Sequence, residues 1–186
     1  MDSLLEMLAL CTERGKVNRD APYPPDLKGQ DGADELTAKA LADGVDPNIV
    51  LNEGLMVGMS RVGEKFSRNE VFVPDLLMAA RAMSAGMAHL QPHFDSGAAK
   101  RKGTFIIGTV QGDLHDIGKN LVAMVVEGGG WEVIDLGVDA KAEQFLEAIE
   151  AHPGSVVGLS ALLTTTMMNM EKVVAAIKEK KPDTKV

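Results

Sequence analysis

The chain of 186 residues has one cysteine, few aromatic residues and no long apolar segment. Cys11 has no partner for an intrachain disulfide, so we expect a reducing compartment such as the cytoplasm and a buried, apolar role for this thiol. No apolar run approaches the ~20 residues of a membrane-spanning helix. The acidic amino terminus also lacks the basic start and apolar core of a signal peptide. We therefore predict a cytoplasmic protein that does not bind membranes.

Positive charge is also in short supply. Nineteen Lys and Arg residues stand against 27 Asp and Glu residues, which gives a net charge of −8. The longest basic cluster is Lys100-Arg101-Lys102. Because a nucleic-acid-binding protein needs a positive face to neutralise phosphates, this composition argues against nucleic acid as a partner. The 45% hydrophobic content instead predicts a globular protein.

The amino-terminal half shows only helical patterns. Apolar residues recur there at helical spacing, and the proline-rich stretch 19–32 predicts a loop. Asp46 followed by Pro47 is a strong helix start, and Pro92 is expected to end the last helix. The predicted helices cover residues 4–11, 33–43, 47–66 and 74–91. Four helices with short connections predict an antiparallel bundle.

From Gly103 onward, short apolar strands alternate with helices. The predicted strands cover 104–110, 131–136 and 155–159, and the predicted helices cover 117–127, 140–151 and 167–180. This alternation predicts an α/β domain with a Rossmann-like (flavodoxin-like) parallel sheet. The domains expected are therefore a helical cap at 1–92, a hinge linker at 93–102 and a sheet domain at 103–186. Three strands are few for such a sheet, so we expect the domain to be incomplete at its carboxyl terminus.

The segment Asp113-Leu114-His115-Asp116-Ile117-Gly118 joins the first predicted strand to the next helix. In a parallel sheet this turn lies at the edge where ligands bind. A histidine there can coordinate a metal through one ring nitrogen while a carboxylate holds the other. A lone His115 argues against zinc, which needs three or four nitrogen or sulfur ligands.

The segments after the second and third predicted strands should reach the same edge. The second is Asp135-Leu136-Gly137, and the third, 158–166, is rich in hydroxyl groups. Its hydroxyl residues are Ser160, Thr164, Thr165 and Thr166. We expect one of them to cap the following helix. Four exceed what capping needs, and this favours an additional polar ligand.

The pattern Asp113-x-His115-x-x-Gly118, together with Ser160-Ala161-Leu162, resembles the cobalamin-binding domain shared by methionine synthase and the corrinoid proteins of methyltransferase systems. The stretches 53–66 and 71–77 are similar to the helical cap of the same proteins. The resemblance extends over roughly residues 33–180. It implies that the cofactor is cobalamin or a related corrinoid.

The resemblance also implies roles for individual residues. His115 would be the axial ligand of cobalt, and Asp113 and Thr166 would form a relay with it that responds to ligand exchange. Ser160 and Thr164 would line the cavity for the nucleotide tail, while Phe66 and Val73 of the cap would shield the upper face. The implied cofactor-binding residues are Gly112, Asp113, His115, Asp116, Ile117, Gly118, Ser160, Leu162, Thr164, Thr166, Phe66 and Val73.

The implied function is that of a methyl carrier that is not catalytic alone. It would accept a methyl group on Co(I) from a substrate-specific methyltransferase. A second enzyme, the methylcorrinoid:acceptor methyltransferase, would move that group to tetrahydrofolate or a thiol, and a reductive activase is a further candidate partner. The methyl donor stays open.

Three alternatives remain at this point. A cobalamin-dependent sensor should carry a DNA-reading helix and a basic face, and neither is visible. The cobalamin subunit of a radical isomerase should lack the segment with Phe66 and Val73. An unrelated α/β domain could also carry the motif by accident.

Overall fold

The computed structural model describes residues 2–97 and 100–186, and the described chain forms two compact units. The first runs from the start of the described chain to Lys100 and includes Gly128–Gly130. The second comprises Arg101–Glu127 and Trp131–Val186. Two residues of the predicted hinge, Ala98 and Ala99, lie outside the described residues. No helix in the described ranges is long and apolar enough to cross a membrane.

The first unit is helical, as predicted. Its helices are α1 (Asp2–Glu13), α2 (Ala33–Ala42), α3 (Pro47–Ile49), α4 (Met56–Ser67) and α5 (Val73–Asp95). The helix predicted over 47–66 contains a π-helical segment, Val50–Leu55, that joins α3 to α4. Asp46 caps this helix as expected, because its carboxylate accepts the Asn48 N–H at 2.8 Å.

The end predicted for α5 was wrong. The helix continues through Pro92 to Asp95. Pro92 lacks the N–H that would pair with the Ala88 carbonyl, and the helix continues in spite of this one missing bond. The chain leaves the helix only at Gly97, whose φ of +76° suits glycine. Residues 93–95, which were predicted to begin the linker, therefore belong to α5.

The core of the first unit comes from helix faces of α1, α2, α4 and α5. Leu8, Leu55, Met83 and Leu90 are among its fully buried side chains. Cys11 is buried with them, as predicted, and burial raises the pKa of its thiol to about 11. This cysteine is therefore a packing residue with little thiolate at neutral pH.

The second unit contains the predicted three-stranded parallel sheet. Its elements are β1 (Thr104–Thr109), α6 (Ile117–Gly128), β2 (Glu132–Asp135), α7 (Ala142–Ala151), β3 (Val156–Ser160) and α8 (Thr164–Lys180). The strand order is β2-β1-β3, which is how a flavodoxin-like sheet begins. After α8, Lys185 forms an isolated parallel bridge with Val156 of β3.

The core of this unit lies between the sheet and the helices α7 and α8. Ile106 on the central strand is fully buried, together with Phe145 of α7 and Ile177 of α8. Because all three strands are parallel, the loops that follow them leave the sheet at one edge. The order reverses between β1 and β3, and ligands bind in the crevice at such a reversal.

Candidate functional site

The histidine loop, residues 110–116, follows β1 and is held by hydrogen bonds within the loop and from the end of β1. The Asp113 N–H donates to the Val110 carbonyl at 3.1 Å, and the Thr109 hydroxyl donates to the His115 carbonyl at 2.9 Å. Gly112 has a φ of +85°, a left-handed conformation that glycine adopts without strain. The loop is therefore a tight turn that presents His115 at the edge of the sheet.

Asp113 is the centre of the site. One carboxylate oxygen, Oδ1, accepts the His115 ring N–H from Nδ1 at 2.7 Å and the His115 backbone N–H at 3.0 Å. The other, Oδ2, accepts the Thr166 hydroxyl at 2.6 Å and the Leu162 N–H at 2.8 Å. These donors, Thr166 first, hold the pKa of Asp113 far below its usual range. The carboxylate is therefore ionised, and it orients the ring with Nδ1 as donor and Nε2 available.

The surroundings of His115 are apolar and exposed. Its own side chain is 53% exposed, and Leu114, Ile117 and Leu162 are each at least 65% exposed. A cavity of about 370 Å³ adjoins the ring. The cavity is lined by Leu114, His115, Asp116, Ile117, Gly118, Ser160, Ala161 and Leu162. Large exposed apolar side chains grouped around one available ring nitrogen make this cavity a candidate ligand site.

The structure brings most of the predicted site residues together. Asp116, Ile117, Gly118, Ser160 and Leu162 share the cavity with His115. A Cβ added to Gly118 would meet no atom within 4 Å, so the glycine leaves open space there.

Four other predicted residues lie elsewhere. Gly112 and Thr164 do not line the cavity. Thr164 is exposed at the start of α8. Phe66 and Val73 belong to the first unit, where they are 39% and 42% exposed.

The prediction that a hydroxyl would cap α8 was wrong. Its N-cap residue is Leu163, whose side chain makes no capping hydrogen bond. Asp113, some fifty residues earlier in the chain, accepts the Leu162 N–H at 2.8 Å and the Leu163 N–H at 3.4 Å instead. The carboxylate thus neutralises donors at the positive end of the helix. Thr166 is buried, and its hydroxyl donates to Asp113.

Sequence reasoning missed two features that hold this edge. Asp139, in the loop after β2, accepts the Gly112 N–H at 2.7 Å. Lys119 is buried in the first turn of α6, and its Nζ contacts Asp135 at 2.5 Å. The lysine could have been found from its charge in the first turn of a largely apolar helix. No sequence pattern pointed to Asp139, because its contact with Gly112 forms only when the two loops meet in the folded chain.

The donor set fits a corrin better than other metal sites. In the part of the chain that the structure describes, no group of three or more His, Cys, Asp or Glu side chains could hold a metal ion. A corrin brings four equatorial nitrogens of its own, so the single Nε2 of His115 is sufficient. The exposed apolar residues beside it suit the flat ring of such a group.

Comparison with known proteins agrees with this chemistry. Two families described as B12 binding domain match the chain, one over residues 103–186 and one over residues 30–91. The trimethylamine corrinoid protein of Methanosarcina barkeri is 40% identical over 149 residues, which cover 79% of this chain and 69% of that protein. The chain belongs to the corrinoid proteins of methyltransferase systems. Its cofactor is accordingly cobalamin or a related corrinoid.

Other relatives and solved structures place this corrinoid protein in the same group. The dimethylamine corrinoid protein 3 of Methanosarcina acetivorans is 39% identical over 145 residues, which cover 78% of this chain and 68% of that protein. The methanol:cobalamin methyltransferase complex MtaBC of Methanosarcina barkeri has a chain that is 31% identical, with a TM-score of 0.79. That match covers 97% of this chain and 65% of the other. A cobalamin-binding protein of Desulfitobacterium hafniense is 29% identical, with a TM-score of 0.67, over 96% of this chain and 77% of that one.

Proposed function

We propose that this corrinoid protein is a methyl carrier in which His115 would bind the cobalt of the cofactor. The observation that carries the proposal is the pairing of His115 Nδ1 with buried Asp113 at 2.7 Å, which leaves Nε2 available beside an apolar cavity. A bound corrinoid supplies a cobalt centre that accepts a methyl group from one enzyme and gives it up to another. The chain itself then needs no nucleophile or general base.

Asp113 would hold the His115 ring in one orientation, with Nε2 directed to the cofactor. Its pKa lies far below the usual range, with the Thr166 hydroxyl as the largest cause, so the carboxylate stays ionised at neutral pH. It would therefore keep accepting the N–H of His115 Nδ1 whether or not a cobalt ion is bound at Nε2. Thr166 supports this relay by donating to Oδ2 at 2.6 Å.

The remaining predicted residues would bind and shield the cofactor. Ser160 and Leu162 line the cavity beside His115 and would contact the cofactor there. Ser160 and Thr164, which is exposed at the start of α8, would contact its nucleotide tail. The cap residues Phe66 and Val73 would cover the reacting face, and the linker after α5 would act as the hinge that gives enzymes access to it.

The partners we propose are a substrate-specific methyltransferase and a methylcorrinoid:acceptor methyltransferase, with a reductive activase as a third. Relatives are named for trimethylamine and dimethylamine, and one solved relative for a methanol:cobalamin methyltransferase complex. These names support a small methylated amine or alcohol as donor, recognised by the partner enzyme. Tetrahydrofolate or a thiol would be the acceptor. As the lone cysteine suggests, we place this exchange in the cytoplasm.

The test is a visible absorption spectrum of the purified chain after reconstitution with hydroxocobalamin and with methylcobalamin. We expect stoichiometric binding and a histidine-ligated spectrum. His115→Ala should retain corrinoid but give the spectrum of cobalt without a protein imidazole.

His152→Ala is the matched control, because His152 lies at the end of α7, outside the cavity. Its spectrum should equal that of the parent protein. Identical spectra for His115→Ala and the parent would refute axial ligation by His115.

A further inference from the structure

Asp139 contacts the histidine loop at two consecutive residues. Its Oδ1 accepts the Gly112 N–H at 2.7 Å, and its own N–H donates to the Asp113 carbonyl at 3.1 Å. One residue from the β2–α7 loop thus accepts the backbone N–H of residue 112 and donates to the backbone carbonyl of residue 113. These two bonds hold the backbone from which the Asp113 side chain extends to orient His115.

The backbone conformation of Asp139 is one that favours only a few residue types. Its φ is +54°, in the left-handed region that most residues avoid and that Asp and Asn tolerate best. Glycine would adopt this conformation with less strain but would offer no acceptor for Gly112. The side-chain oxygen, rather than the turn itself, is the feature that requires Asp here.

The orientation of Asp113 depends on the backbone at 112–113. Its carboxylate must face His115 with one oxygen and the start of α8 with the other, at 2.7 Å from the His115 Nδ1 and 2.8 Å from the Leu162 N. A rotation at Gly112, the flexible residue of the loop, would misalign both sets of contacts. Gly112 is held in place by the bond from its N–H to Asp139.

We propose that Asp139 is a positioning residue for the Asp113–His115 pair. It acts through Gly112 and Asp113, without contact to the imidazole. The effect of Asp139 on the cofactor rests on the proposed function, because a better oriented His115 would favour the histidine-ligated state of cobalt.

The test compares Asp139→Gly with Asp139→Asn. Glycine keeps the left-handed turn and removes the acceptor, whereas asparagine keeps both the turn and an amide oxygen that can accept the Gly112 N–H. Asn69→Gly is the matched control, because Asn69 is a left-handed residue in the first unit, with a φ of +58°.

The first readout is nuclear magnetic resonance of the cofactor-free protein labelled with ¹⁵N-histidine. His115→Ala identifies the His115 signals. We expect the Nδ1-bound proton of His115 to exchange with water about two- to tenfold faster in Asp139→Gly, as for the loss of one hydrogen bond. Asp139→Asn and Asn69→Gly should match the parent, and the amide spectrum outside the loop should remain that of the folded chain. Equal exchange in Asp139→Gly and the parent would overturn the proposal.

The second readout is the ratio of histidine-ligated to unligated cobalt after reconstitution with hydroxocobalamin. We expect this ratio to fall about two- to tenfold in Asp139→Gly and to be restored in Asp139→Asn. If the parent and His115→Ala have the same spectrum, axial ligation fails. The proton-exchange measurement still decides whether Asp139 positions the pair.

Discussion

Each unit of the molecule contains a histidine paired with an aspartate, and the two pairs differ in their surroundings. In the first unit, His89 Nε2 lies 2.5 Å from Asp34, and the side chains are 35% and 42% exposed. In the second unit, the side chain of Asp113 is fully buried, while His115 is 53% exposed. Asp113 also accepts the Thr166 hydroxyl and backbone N–H groups, which fix its position.

The comparison shows that a histidine–carboxylate contact alone does not define a site. Water competes for the exposed carboxylate of Asp34, so this pair contributes at most a surface ion pair. Asp113 is shielded and saturated with donors, so it fixes one ring nitrogen and leaves the other for a ligand. Substitutions in each pair and a change of pH should separate the two cases.

Asp113→Asn should have the largest effect. The amide cannot accept all the donors that surround the carboxylate, and it removes the charge that holds the His115 ring. We expect the ratio of histidine-ligated to unligated cobalt to fall about 10- to 100-fold, as for other partners of metal-binding histidines. Visible absorption after reconstitution measures this ratio. Asp34→Asn is the control, and an equal loss in both variants would remove the distinction between the two pairs.

Acid should destabilise the fold through Asp113. Its pKa is lowered in the folded protein, whereas an unfolded aspartate titrates near about 3.9. Its stabilising contribution is therefore present above about pH 4 and is lost as the pH falls toward the folded pKa. Urea unfolding between pH 2 and 7 should show a weaker pH dependence in Asp113→Asn than in the parent. Glu6→Gln, in an exposed ion pair, should change this dependence little; a larger change there would contradict the assignment.

Thr166→Val should have an intermediate effect. The substitution keeps the shape of the buried side chain and removes the hydroxyl that donates to Asp113. We expect the free energy of unfolding to fall by about 1.5–3 kcal/mol, the usual contribution of a hydrogen bond to a charged group. Urea unfolding is the measurement, and Thr166→Ser should recover most of the loss. Thr165→Val, at an exposed position, is the control; a comparable loss there would mean that the exchange of a hydroxyl for a methyl group, and not the bond to Asp113, caused the effect.

His89→Ala should have the smallest effect. The pair with Asp34 is open to solvent, so its loss should lower the free energy of unfolding by less than about 1 kcal/mol. The cobalt spectrum should not change. Urea unfolding and the reconstituted spectrum check both statements, and a change in ligation would assign a role to His89 that its exposure does not suggest.

Much of the fold followed from local pattern. The switch from helical spacing to alternating strands and helices near Gly103 predicted both classes of structure, and strand ends were placed within a few residues. Pro92 was misleading because a proline removes only one hydrogen bond of the preceding turn, which a long helix can tolerate. The π-helical segment Val50–Leu55 also escaped prediction, since its wider turns leave no distinct composition.

The site was predicted unevenly. The spacing of Asp113 and His115 and their place after β1 were sufficient to bring the two side chains together. The capping of α8 by Asp113 could not be foreseen, because it joins residues some fifty positions apart whose approach depends on the parallel pairing of β1 with β3. Local rules instead favoured a hydroxyl of the helix itself. Asp139 escaped for the same reason.

The capping of α8 by Asp113 has a consequence for protein engineering. A designer who moves the segment 113–118 into another flavodoxin-like scaffold would transfer a carboxylate that has lost most of its donors. The smallest portable unit therefore has two parts, the loop after the first strand and the opening turn of the helix after the third strand. A transplant of both, with threonine at the third position of that helix, is the design most expected to reproduce a buried carboxylate and an available imidazole nitrogen.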